Sequence, residues 1–217
     1  MGLLPLLGLS FPAVALCPTV DQATSIEEVV ARVEIEGLQY IFVGERHGNG
    51  PVKRFAVDLA NALMERNYDV GLYVEGFRTD CSPRDERCLC LASAFNRPAF
   101  LSLLEQSQAP VHPIDPPERD RRAARMAARI AEGPESIRIV LVGLSHVLYA
   151  GDPEGRVWTY GGAMQYPDPG DVAEAFPRDK CLLFGLETDK TAVAPYHLHQ
   201  SGNGTDYLLV TRGTGDY

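Results

Sequence analysis

The chain has 217 residues, 45% of them hydrophobic and 23% charged, with a formal net charge of −9 and a pI near 5.0. That length accommodates one domain with a full hydrophobic core and is short for two. The acidic balance, with Lys and Arg scattered, argues against nucleic-acid binding, because phosphate backbones repel such a surface.

Met1 to Ala15 is almost free of polar groups (Leu3, Leu4, Leu6, Leu7, Leu9, Phe11, Val14). It is too short for a bilayer span, which takes roughly 20 apolar residues. Residues 1–15 read as a signal peptide with a small-x-small cleavage site at Ala13-Val14-Ala15, leaving 16–217 as one exported domain, periplasmic or extracellular. The positively charged start of such signals is missing. Two other readings compete: a buried N-terminal strand or helix, and lipid attachment at Cys17, where Leu16 is bulky for the preceding small residue. Only lipid attachment would bring the chain to a membrane. Cys17, Cys81, Cys88, Cys90 and Cys181 fit an oxidising compartment, where four of them form two disulfides in any of three connectivities. Cys88-Leu89-Cys90 lacks the spacing of a zinc knuckle.

Ser25-Ile26-Glu27-Glu28 matches a capping box and opens a helix through about Val33. Gln39 to Val43 is a short β-rich run. Pro51 then stands at the first position of a helix whose Val52, Phe55, Ala56, Leu59 and Leu63 recur at helical spacing. Val70 to Val74 reads as a second strand, Phe95 to Leu104 as a helix, Val111 to Ile114 as a strand. Pro117 to Ala131 reads as an Ala-rich helix whose Arg119, Arg121, Arg122, Arg125 and Arg129 form a solvated face. Ile137 to Val142, Leu182 to Leu186 and Tyr207 to Val210 complete the strands. The Gly/Pro-rich stretch from Tyr149 to Asp179 reads as a long loop, a lid or rim. His197-Leu198-His199, beside Pro195 and Gly202, reads as an exposed loop. Strands this apolar need cover on both sides, so the fold class is α/β, a mainly parallel sheet with helices on both faces.

In such sheets ligands bind beyond the carboxyl ends of the strands. Glu45 and His47, Glu75, Asp115, His146 and Glu187 each follow a predicted strand, and groups of this kind are costly to bury without partners or metal. Glu45, His47, Glu75 and His146 are the expected catalytic set. Pro51 starts a helix just after His47, and the positive end of its dipole favours a neutral imidazole, as a base or ligand must be. A carboxylate, Glu45 or Glu75, would hold the other ring nitrogen. Glu45, His47 and His146 also suit a divalent zinc, manganese or iron ion. Either route ends in activated water. The Gly-x-Ser-x-Gly elbow of serine hydrolases is absent.

The run Ile41-Phe42-Val43-Gly44-Glu45-Arg46-His47-Gly48, with Leu72-Tyr73-Val74-Glu75-Gly76 and Val142-Gly143-Leu144-Ser145-His146, resembles the ChaN/erythromycin-esterase-like group, which is often joined with the Tiki and TraB families. The resemblance spans roughly Leu38 to Tyr149, and its first motif is closest to the ChaN-like, haem-binding members. It implies an α/β sandwich with the site at the strand ends, but not a single activity. The esterases use a His/Glu pair to activate water, Tiki-like members are metal-dependent peptidases, and ChaN binds haem. The cysteine cluster and the Gly/Pro-rich last third depart from the pattern. The expected function is therefore an exported hydrolase of a small-molecule or peptide substrate. The alternative is a haem- or iron-binding protein, with Tyr166, Tyr196 and His197 as candidate ligands. An interaction domain with a vestigial polar edge is the third reading.

Overall fold

A computed structural model describes residues 23–45, 49–80, 97–117, 121–147, 172–188, 196–200 and 206–211. In chain order the elements are β1 (Ala23–Thr24), α1 (Ile26–Glu36), β2 (Tyr40–Glu45), α2 (Gly50–Glu65), β3 (Val70–Arg78), α3 (Arg97–Leu104), β4 (Val111–Asp115), α4 (Arg122–Ala131), β5 (Ile137–Gly143), β6 (Cys181–Thr188), β7 (His197–Gln200) and β8 (Tyr207–Thr211). Among the described residues the strands form one eight-stranded sheet in the order β1-β7-β8-β6-β2-β5-β3-β4. Every pairing from β8 to β4 is parallel; β7 is antiparallel to both β8 and β1. Among the described strands, β1 and β4 are the edges.

Alternation along the strands divides the core into two layers. Ile41, Val43, Leu72, Val74, Ile139, Leu141 and Phe184 pack with residues of α1, α2 and α3 on one face. Phe42, Tyr73, Val140, Val142 and Leu183 pack with Met126 and Ile130 of α4 and with Val172 and Ala173 on the other. Each such side chain contributes about 1.5–3 kcal/mol by leaving water, so covering both faces is what makes these apolar strands viable. α1 begins at the capping box, with Ser25 accepting from the Glu28 N–H and the Glu28 carboxylate accepting from the Ser25 N–H. It runs past Val33 to Gly37, whose left-handed φ of 60° closes it. α2 is capped by the Asn49 side chain, which accepts from the Val52 N–H, and Pro51 occupies its first turn.

The α/β reading of the sequence agrees with this architecture, and four local expectations are corrected. His197-Leu198-His199 is not a loop: it is β7, held by ladders to β8 and β1, with Leu198 in the core. The arginine-rich helix starts at Arg122 rather than Pro117, after Arg121 takes a left-handed φ of 52°. β3 runs beyond Val74 to Arg78, so Glu75 lies within the strand. Within the expected long loop, Ala173–Ala175 and Arg178–Lys180 are 3-10 turns, and Val172, Ala173 and Phe176 are buried. Cys181 is a buried free thiol, which burial pushes up to about 12. Cys17, Cys81, Cys88 and Cys90 lie outside the described residues, as do the signal segment and Tyr166.

The connection leaving β2 passes through α2 on one face, whereas β5 leads toward Val147, which packs on the other. Adjacent parallel strands whose exits diverge open a crevice at their carboxyl ends. Glu45 and Gly143, paired in register, mark this point.

Candidate functional site

Glu75 projects to the same face as Tyr73, toward α4. Its carboxylate is nearly fully buried and is held from three sides. Oε2 accepts from the Gly143 N–H at 2.5 Å, Oε1 accepts from Arg122 at 2.5 Å, and His146 Nε2 lies 3.7 Å from Oε1. Arg122 Nε also donates to Asp115 Oδ1 at 2.7 Å, and its Nη1 is 3.4 Å from His146 Nε2. Asp115 Oδ2 in turn accepts from the Gly76 N–H at 2.6 Å. That last bond depends on a bulge: the β3–β4 register shifts between Val74 and Arg78, and Gly76 sits at φ 97°. His146 ends a 3-10 turn, Leu144–His146, that directly follows β5. The turn folds tightly over β2, and a Cβ on Gly44 would meet Leu144 Cδ1 at 2.7 Å.

The electrostatics follow from burial and partners. Burial pushes the Glu75 carboxyl up, but His146, Arg122 and the Gly143 N–H together outweigh it and hold the group well below the usual carboxylate range. Asp115 is shifted upward by burial and by the neighbouring Glu75 charge, with Arg122 opposing. Burial lowers the Arg122 guanidinium, and the two carboxylates more than reverse that. A single guanidinium thus serves two acids, and an imidazole stands beside them.

Glu45 belongs to a different cluster. It alternates with Val43, so it faces α2. There its Oε2 lies 2.7 Å from Lys53 Nζ, and both side chains are out of contact with water. The ammonium also sits 5.1 Å from the Phe100 ring centroid. Asn49, buried at the start of α2, donates from its side-chain amide to Thr211 Oγ1 on β8. The β2 and β3 carboxylates flank Gly143 on one sheet edge but open to opposite faces.

This bears on the metal expected at Glu45, His47 and His146. Lys53 and the N-terminal end of α2 both place positive charge at Glu45, and Arg122 does so at His146, an environment opposed to a divalent cation. His47 lies outside the described residues, and among the described ones no group of three or more His, Cys, Asp and Glu side chains is arranged to hold a metal ion. The described donors therefore do not fit such an ion. For haem, Tyr196 donates its hydroxyl to Asp58 and packs edge-on against Phe55, and burial pushes the phenol up. Axial ligation by a tyrosinate does not fit Tyr196.

Of the residues singled out from the sequence, Glu75, His146 and Asp115 come together. Glu45 stands on the far face, and Glu187 lies in β6 with its side chain outside the described set. Sequence reasoning missed Arg122 and Lys53. For Arg122 the available signal was an arginine in the first turn of the helix that follows Asp115.

No protein-family model matches the chain, and no curated protein matches it. Two solved structures are similar over nearly the whole length. The type III effector HopBA1 shares 14% identity with a TM-score of 0.50, covering 93% of this chain and 100% of its own. ChaN of Campylobacter jejuni, described with cofacial haem, shares 11% identity with a TM-score of 0.51, covering 88% of this chain and 93% of its own. At such identities the likeness concerns architecture, and the fold is ChaN-like.

Proposed function

We propose that this chain is a hydrolase of ester or peptide bonds in which His146 activates water. The observation that carries the reading is the approach of His146 Nε2 to within 3.7 Å of the buried Glu75 carboxylate, at the carboxyl edge of a parallel sheet. In this reading the Nε2–H side faces Glu75, and Nδ1 takes the proton from water. Glu75, ionised and fixed, orients the ring and stabilises the imidazolium that forms. Arg122 and Asp115 position Glu75. His47, with the motif resemblance to the erythromycin-esterase-like group, enters as a second imidazole. Residues 1–15 act as an export signal in this reading, so the substrate is met outside the cytoplasm. No step requires a metal.

Activity is to be measured on a panel of p-nitrophenyl esters and fluorogenic peptides. H146Q and E75Q are each expected to lower kcat by about 10²–10⁴-fold, the usual contribution of a positioned acid–base group, while thermal melting stays cooperative. Turnover that survives both substitutions rejects the reading. Haem binding without catalysis is the second reading, supported by the likeness to ChaN; a haem titration with no shifted Soret band removes it.

A further inference from the structure

Away from the polar edge, β7 carries another group of ligand-type side chains. His197 and His199 flank Leu198, and the alternation of an extended strand sends both imidazoles to one face while Leu198 enters the core beside α1 and α2. The ladders fix this arrangement. His197 stands opposite Val210 and His199 opposite Leu208 on β8, and Ala23 of β1 pairs with His199 from the other side. Both rings are half-buried, and among the described residues neither has a hydrogen-bond or ion-pair partner. Neither ring nitrogen is among the buried polar atoms left without a partner, so their lone pairs are within reach of an ion from solvent.

We propose that His197 and His199 form a two-imidazole chelate for a borderline divalent transition metal: Zn²⁺, Cu²⁺ or Ni²⁺. Residues two apart on a strand have Cα atoms about 6.8 Å apart, a span from which two imidazoles converge on one ion at roughly 2.0–2.1 Å per bond. Imidazole suits these ions, whereas Ca²⁺ and Mg²⁺ require oxygen donors. Water or an exogenous ligand completes the coordination. β7 is five strands from β3 in the sheet order, about 24 Å at 4.8 Å per strand. The chelate is therefore separate from Glu75 and His146, and it stands or falls independently of the hydrolase reading.

The experiment uses the full, untagged chain. Cu²⁺ titration followed by electron paramagnetic resonance is expected to show one ion per chain with coupling to two nitrogens, and Zn²⁺ calorimetry the same stoichiometry. H197Q and H199Q should each leave one coupled nitrogen and weaken binding at least about tenfold, the loss typical even of an outer-shell partner. Wild-type affinity and an unchanged spectrum in the double variant overturn the proposal, as does the absence of binding to the wild type. Should the variants melt early, the wild type decides. Zn²⁺ protection of both His197 and His199 from carbethoxylation, read by mass spectrometry, supports the chelate, and modification unaffected by Zn²⁺ overturns it.

Discussion

Lys53 and Glu45 carry opposite charges where no water reaches either. A buried pair of this kind adds little net stability over an apolar pair, but removing one partner strands the other's charge. K53M is expected to lose about 3–5 kcal/mol in urea unfolding, and E45Q/K53M to recover most of it. Glu75 has a different signature. Its folded pKa lies below the ordinary value, so its contribution is full above the unfolded value of about 4.3 and is lost as pH falls beneath it. Asp115, shifted upward, works in the opposite sense and softens the decline. The urea midpoint of the wild type should therefore fall between about pH 5 and about pH 2 more steeply than that of E75Q. An equal slope in the two proteins refutes Glu75 as its source. Lys53 was not legible in the sequence, and Arg122 was read as part of a solvated face. Both types are normally solvated, and their burial depends on carboxylates that arrive from other strands.

Gly76 shows how an element places a side chain. At φ 97° it lets β3 bulge, so that Glu75 faces α4 while Phe77 returns to the α2 side. A Cβ there is strained, and G76A should cost about 1–3 kcal/mol and lower turnover beyond the loss of folded protein, a difference read by correcting kcat for the active fraction. Helix starts were legible where side chains announce them, as at Ser25 and Pro51. They failed at α4, because the left-handed turn at Arg121 comes from a residue without that preference and with no side-chain cap. β7 was missed for a related reason. Its four residues alternate too briefly to be told from a loop, and their strand character comes from the neighbours that pair with them.

Across the whole molecule, the parallel core was legible because strands buried on both faces must be apolar throughout, and Ile137 to Val142 is apolar apart from Arg138. Strand order was not, since nothing local tells β5 to insert between β2 and β3. The carboxyl-edge placement of Glu75 and His146 followed from strand direction alone. The separation of Glu45 from them followed from side-chain parity, which an error of one residue in a strand boundary reverses. The two rims of the sheet carry a last consequence. At one rim Pro113 interrupts β4 and supplies no amide proton; at the other, β1 is only two residues long among the described ones. A second chain laid along the β4 rim meets a residue with no amide proton to give, which weakens continuation of the hydrogen-bonding pattern there.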